Sequence, residues 1–410
     1  MNEPRSAADA HCIIVGASHA GVQSALRLRR LGFEGRITML GDEPHAPYHR
    51  PPLSKDYLTG EKPQERIALV PEAGYAKNGI DLRRDERATG VHCETRMLKL
   101  QDDRYLNYDH LILALGARVR RLNIQGSDLP GIHYLRNIGH VNAIRDQVVA
   151  GGKAVVVGGG YIGLETAASL RKLGMDVTIV ESLERVLQRV TGKVVSNFYR
   201  RLHESQGVKI IESDQVTHFE GTKSVRAVQL ASETRLPADL VIVGIGVIPN
   251  TEIAATAGLA VDNGICVDQF ARTADEHVYA VGDCASFVHP LYDRRVRIES
   301  VQNAGEQALA AARSIVGAPE PYTAVPWFWS DQFDVKLQIA GLSHGADEVL
   351  VRGDAHEGAG FSVLHIKDGR LLAIDAINAT KDFVHGRKLI AEGVELDPAR
   401  AIDATLPLAP

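Results

Sequence analysis

The chain has 410 residues, 45% of them hydrophobic and 24% charged, with a formal net charge of −5. That length exceeds one ordinary core and predicts two or three domains of soluble globular composition. The acidic balance gives no case for nucleic-acid binding, and no apolar run is long enough to span a membrane. Cys12, Cys93, Cys266 and Cys284 lack the C-x-x-C spacing of a zinc or dithiol site. Reduced thiols, no metal centre and a cytoplasmic protein are expected. The opening Met1-Asn-Glu-Pro-Arg-Ser carries no apolar core of a secretion signal.

The first element is Cys12-Ile-Ile-Val-Gly16-Ala-Ser18-His19-Ala20-Gly21, running through Leu31-Gly32 to Leu40-Gly41-Asp42-Glu43. It predicts an apolar strand, a glycine turn, a helix over Val22 to Leu31, and a second strand ending in an acid. In such a dinucleotide fingerprint the first glycine permits the tight turn. The second lets backbone approach a pyrophosphate, and the third lets helix and strand pack closely. The helix N-terminus offers unpaired N–H groups to the phosphates, and the acid takes a ribose hydroxyl. Here Ser18 stands at the second glycine. It is small and can donate a hydrogen bond.

Prolines at 47, 51 and 52 argue against a helix in the segment that follows. Ser54-Lys55 is expected to open a short one. Arg50 and Lys55 either face a ligand or lie on a solvated surface. Asp109 to Leu115 reads as a buried strand ended by Gly116. Next comes the second fingerprint, Ala154-Val-Val-Val-Gly158-Gly159-Gly160-Tyr161-Ile162-Gly163, running through Leu173-Gly174 to Val180-Glu181. Ala238 to Gly246 repeats the closing strand and glycine turn. A short strand ends at Gly282-Asp283, where sugar or polyol hydroxyls, or a local turn, would satisfy the aspartate. Ser300 reads as the N-cap of a helix whose start can meet an anionic group. Beyond Pro319, Pro321 and Pro326, alternating strands and a helix near 380–393 predict a small α+β domain.

The fold class expected is therefore α/β, with two Rossmann-like dinucleotide-binding domains and a small C-terminal α+β domain. The first would be discontinuous, 1–116 and 246–325; the second 117–245; the third 326–410.

These residues resemble the FAD-dependent, NADH-using ferredoxin reductases of bacterial oxygenase systems, in the glutathione-reductase-like superfamily. The resemblance covers nearly the whole chain. Its more specific motifs are Arg50-Pro51-Pro52-Leu53-Ser54-Lys55, Gly158 to Glu165, Glu184-Arg185-Val186-Leu187 with Arg189-Val190, and Pro326-Trp327-Phe328-Trp329-Ser330-Asp331-Gln332. It implies that the first fingerprint holds FAD and the second NADH. The implied FAD residues are Gly16, Ser18, His19, Ala20, Gly21, Asp42 or Glu43, Arg50, Pro52, Lys55, Ala114, Gly116, Asp283, Val301, Gln302 and Trp329. The implied NADH residues are Gly158, Gly160, Tyr161, Ile162, Gly163, Glu181 and Gly246. Lys55, Glu165 and Trp329 would be catalytic, with Lys55 near the flavin N5 and paired to Glu165. Glu181 would favour NADH over NADPH, with Arg185 and Arg189 nearby as a weakening influence.

Ser18 departs from the family's glycine, and Leu115 stands where the superfamily usually has threonine. The disulfide-reducing branches place cysteines on the first helix or at the Leu53-Ser54-Lys55 loop, and this chain has none there. The resemblance then implies single-electron delivery to a two-iron two-sulfur ferredoxin, and through it to a cytochrome P-450 or Rieske-type oxygenase. A monomer or homodimer is expected. Arg294, Arg295, Arg297, Lys381, Arg387 and Lys388 are candidates for a basic docking face. The alternatives are an NADH oxidase or quinone-type reductase, and an NADH-sensing flavoprotein resembling apoptosis-inducing factor.

Overall fold

The computed structural model describes residues 9–356 and 360–408; Met1 to Ser6 lie outside them. The chain forms two compact units. One is built from Met1–His49, Glu65–Arg118 and Ile248–Pro326, the other from Arg50–Gln64, Val119–Val247 and Trp327–Pro410.

In the first unit five parallel strands lie in the order Val278–Ala280, His110–Leu113, His11–Val15, Arg36–Leu40, Ile80–Arg83. Both faces of a parallel sheet are covered, so its strands are continuous apolar runs rather than alternating ones. Cys12, Ile13 and Ile14 are accordingly all fully buried. The helix His19–Arg30 buries Ala20, Gly21, Val22, Ser24, Ala25 and Leu28, the i, i+4 face that packs on a sheet. It also packs against the helix Val301–Ile315, whose buried alanines 304, 308 and 311 permit a close approach. All four cysteines are unpaired. Burial pushes the Cys284 thiol up to about 11, which makes it inert as a nucleophile.

The second unit repeats the design. Its parallel strands run in the order Lys209–Ile211, Asp176–Val180, Lys153–Val157, Leu240–Val243, Ile132–Tyr134. The helix Tyr161–Lys172 is buried on all sides from Gly163 to Leu170. The same unit contains an antiparallel sheet in the order Trp327–Gln332, Val335–Gly341, Arg370–Ile377, Phe361–Lys367, Glu348–Gly353. The helix Thr380–Glu392 packs against it. Gly393 ends that helix at φ 61°, a left-handed cap that glycine adopts without a Cβ penalty.

One expected element is corrected. No helix opens at Ser54-Lys55; a 3₁₀ turn spans Pro51–Ser54, with proline at its first positions. Proline has no N–H to lose there, and its fixed φ suits the start of a helical turn. The prolines taken to exclude helical structure therefore begin it. Among the described residues no helix is long and apolar enough to cross a membrane.

Candidate functional site

The first fingerprint closes on itself by backbone contact. Gly16 has φ 115°, and a Cβ there would fall 2.1 Å from the Ala114 carbonyl oxygen. A Cβ on Gly21 would fall 1.9 Å from the Gly16 carbonyl oxygen. Both glycines are thus demanded by the fold. Ser18 takes the cap position before His19–Arg30 without a side-chain capping bond. His19 Nε2 lies 3.3 Å from His49 Nδ1. Ala20 packs under Gly282, which has φ 78°. Of the two candidate acids, Asp42 is exposed, while Glu43 accepts a hydrogen bond from the Tyr48 hydroxyl at 2.5 Å.

Further along this unit, Gly116 has φ 62°, and its carbonyl accepts from the Asn250 amide at 3.0 Å. The Asp283 carbonyl accepts from Arg297 Nη1 at 3.2 Å. Ser300 Oγ accepts from the Asn303 amide at 3.0 Å, and this cap starts the helix that carries Val301 and Gln302 in its first turn. That turn holds no acid, so no carboxylate within it offsets the positive end of the helix dipole.

In the second fingerprint the three glycines separate. A Cβ on Gly158 would meet the Gly244 carbonyl oxygen at 2.5 Å, and one on Gly163 the Gly158 carbonyl oxygen at 2.0 Å. Around Gly160, at the cap of Tyr161–Lys172 with φ −79°, nothing lies within 4 Å of a built Cβ. The fold makes no demand for glycine at 160. What the position leaves is open space before a helix N-terminus, the cradle a pyrophosphate needs. Gly246, at φ 101°, is also open, and its carbonyl accepts from the Arg120 amide. The Tyr161 ring lies 4.7 Å from that of Phe328, and its buried hydroxyl has no hydrogen-bond partner. Burial pushes that hydroxyl's pKa well up. Ile162 is 46% exposed.

Glu181 is only 6% exposed. Its Oε2 accepts from the Gly159 amide at 2.7 Å and its Oε1 from the Leu183 amide at 2.9 Å. Two charge-assisted bonds fix the carboxylate at the strand end while leaving lone pairs for a further donor. Arg185 is turned away into the Thr191 carbonyl and the Ser196 hydroxyl, and Arg189 is exposed.

A third group, also in the second unit, centres on Glu165, which is 3% exposed. Its Oε2 accepts from Lys55 Nζ at 2.6 Å and Ser54 Oγ at 2.5 Å, and its Oε1 from Ser330 Oγ at 2.6 Å. A buried carboxylate without such partners would be costly. Lys55 also reaches the Pro51 carbonyl at 3.3 Å, and its side chain is 16% exposed. Arg50 donates to the Arg136 carbonyl at 2.8 Å, and Pro52 is half-buried. Trp329, half-buried beside Ser330, has its ring 5.6 Å from that of Trp327. Ser54 and Ser330 were missed by sequence reasoning. A signal existed, because residues 330 and 332 share one face of a strand, and polar residues repeating on a buried face call for partners.

The candidate basic face is thinned. Arg297 is no free surface charge, because its side chain is 11% exposed and pairs with Glu299 at 2.6 Å. Arg295 donates to the Ser286 carbonyl at 2.9 Å, and Arg294 lies over the Tyr292 ring. Lys381, Arg387 and Lys388 are exposed on the helix Thr380–Glu392, and Lys388 lies 3.8 Å from Glu392.

Residues 10–308 match the family model of pyridine nucleotide-disulphide oxidoreductases, and residues 327–410 match that of the reductase C-terminal domain. A ferredoxin–NAD(P)(+) reductase from a Sphingomonas species is 43% identical over 94% of each chain. The chain belongs to the ferredoxin reductases of this family. Putidaredoxin reductase of Pseudomonas putida is 42% identical over 98% of this chain and 96% of its own. In a crystal structure of the covalent complex between putidaredoxin reductase and putidaredoxin, one chain superposes with a TM-score of 0.95 at 42% identity. The match covers 98% of this chain and 97% of that one. Membership makes the chain a flavin- and pyridine-nucleotide-linked oxidoreductase. The helix His19–Arg30 carries no cysteine.

Proposed function

We propose that the chain passes electrons from NADH through FAD to a two-iron two-sulfur ferredoxin, which feeds a cytochrome P-450 or Rieske-type oxygenase in the cytoplasm. The observation that carries this reading is the doubled fingerprint, with an open Gly160 cradle in one copy and no cysteine pair beside the other. Two nucleotides meet in one protein to exchange a hydride. With no dithiol to receive the electron pair, the electrons leave to an outside carrier.

The residues fit both nucleotides. Gly16, Ser18, His19, Ala20, Gly21, Glu43 or Asp42, Ala114, Gly116 and Asp283 would hold FAD, with Arg50, Pro52, Lys55 and Trp329 serving the same cofactor. Gly158, Gly160, Tyr161, Ile162, Gly163, Glu181 and Gly246 would hold NADH. The corresponding division is an FAD domain of 1–116 and 246–325, an NADH domain of 117–245 and a third domain of 326–410. Bound FAD supplies two-electron acceptance and one-electron release.

The chain supplies position and field. Glu165 holds the Lys55 ammonium in place. The positive dipole end at the start of Val301–Ile315, with Val301 and Gln302, favours an anionic ring edge. Glu181 accepts from a ribose 2′-hydroxyl and repels a 2′-phosphate. The exposed Lys381, Arg387 and Lys388 would steer an acidic ferredoxin. Cytochrome c reduction by NADH tests the reading. It should be slow with the reductase alone and accelerate on adding a two-iron two-sulfur ferredoxin. Equal rates with and without ferredoxin would refute it.

A further inference from the structure

Behind Glu165 runs a line of buried polar groups that the proposed chemistry does not use. Ser330 Oγ lies 2.6 Å from Glu165 Oε1. Gln332 Nε2 lies 3.1 Å from Ser330 Oγ, and His203 Nε2 lies 2.9 Å from Gln332 Oε1. Ser330, Gln332 and His203 are each wholly buried. Three separate stretches of sequence meet here: the helix Tyr161–Lys172, the helix Lys193–Ser205 and the strand Trp327–Gln332.

Proton counting fixes the direction of the whole line. Glu165, ion-paired to Lys55, is an acceptor with no proton to give. The single proton of Ser330 is therefore committed to Glu165. Any group behind Ser330 must then donate to it, so the amide nitrogen of Gln332 faces Ser330 and its oxygen faces His203. That oxygen needs a donor, so His203 carries its proton on Nε2. Its Nδ1 is left bare, and Nδ1 has no hydrogen-bond partner. Burial holds the His203 imidazole down at about 4, so the ring is neutral and one tautomer has to be chosen. Hydrogen bonds pointing one way polarise one another in a low-dielectric interior.

We propose that His203, Gln332 and Ser330 form a one-way donor relay that locks Glu165 in one orientation and thereby positions Lys55. They are positioning residues, and the relay ties the 327–410 segment to the Lys55–Glu165 pair. Losing Ser330 Oγ strands two buried groups at once, Glu165 Oε1 and Gln332 Nε2. Glu165 keeps Ser54 and Lys55 on Oε2 but loses the bond that stops the carboxylate from rotating. The expected damage is to the geometry of Lys55 rather than to nucleotide affinity.

The catalytic half of this inference rests on the proposed NADH reaction, and two measurements separate them. The flavin-loaded protein is reduced anaerobically with NADH in stopped flow, for the unmodified chain, Ser330→Ala and Gln332→Met. The limiting reduction rate should fall about tenfold in both variants, as small misplacements at a reacting centre do, with the NADH concentration for half-maximal rate unchanged. Variants as fast as the unmodified protein would overturn the relay. Failure of the unmodified protein to be reduced would instead overturn the proposed function. Independently of activity, ¹⁵N-histidine NMR of the unmodified protein should find a ring fixed as the Nε2–H tautomer with a bare Nδ1. The resonance is identified by its loss in His203→Gln. A His203 ring protonated on Nδ1, or exchanging between tautomers, would break the chain of donors and overturn the proposal.

Discussion

The two fingerprints fold by the same rule and place their acids by different ones. In both, the first strand pairs in the same register with the second, Val15 with Leu40 and Val157 with Val180. In both, the first glycine amide donates 2.8 Å to the carbonyl at the end of that second strand. The register therefore equates Glu181 with Gly41, not with Asp42 or Glu43. The reason lies one residue into each turn. Ala17 carries a methyl that a Cβ on Gly41 would approach to 2.8 Å. Gly159 has no side chain, and its amide is the group that holds Glu181. Bulk on the turn excludes the acid from the strand end, and bare backbone on the turn admits it. In the first copy the acids follow the strand end, at Asp42 and Glu43, and the Tyr48 hydroxyl holds Glu43. The same division appears at the cap, where the first copy has Ser18 and the second leaves Gly160 open.

Substitution of the glycines should separate the two kinds of contact most strongly. Gly21→Ala and Gly163→Ala push a methyl into backbone carbonyls, and each should cost on the order of 3–5 kcal/mol and abolish soluble folded protein or its sharp melting transition. Gly160→Ala should keep the melting temperature of the unmodified chain, within about 0.5 kcal/mol in stability. It should instead weaken NADH binding about tenfold, about 1.4 kcal/mol, in a fluorescence titration. A destabilised Gly160→Ala would show that its openness serves the fold.

Acid titration probes each unit through one buried histidine. Burial lowers His203 in the second unit and His289 in the first to about 4. The unfolded chain takes up these protons near pH 6.5 and the folded one only near pH 4. Each therefore contributes stability that is intact above pH 6.5 and declines as pH falls toward 4, by roughly 3 kcal/mol at most. Denaturant melts at pH 7 and pH 5 should differ less for His289→Phe than for the unmodified chain.

A smaller effect is expected at the two acids. Glu181→Ala frees the Gly159 and Leu183 amides and should cost about 1–3 kcal/mol in thermal stability. It should also narrow NADH preference over NADPH in steady-state kinetics, whereas Glu43→Ala should leave that ratio unchanged and weaken retention of FAD. The smallest effect is electrostatic. Lys381→Ala with Arg387→Ala should slow electron delivery to ferredoxin a few-fold at low salt and converge with the unmodified chain as salt rises, because exposed charges are screened.

Much of this was legible in the sequence, for identifiable reasons. Strand, glycine turn and helix are local, so Gly16 to Gly21 and Gly158 to Gly163 announced both parallel sheets. Ser300 announced its helix by a cap that reaches only three residues ahead. The Pro51–Ser54 turn was misread because proline is a breaker within a helix and a starter at its first positions. The shell of Glu165 was not legible, since Ser54 and Ser330 stand 111 and 165 residues from it. Arg297 read as surface charge because sequence does not reveal that Glu299 will cover it.

In the proposed reaction, electrons arrive in pairs from NADH and leave singly to ferredoxin. Rapid mixing of NADH-reduced, flavin-loaded protein with a two-iron two-sulfur ferredoxin, and separately with oxygen, tests it most directly. Ferredoxin should restore the oxidised flavin spectrum far faster than oxygen does, with two ferredoxins reduced per NADH. Fast reoxidation by oxygen with no response to ferredoxin would contradict it.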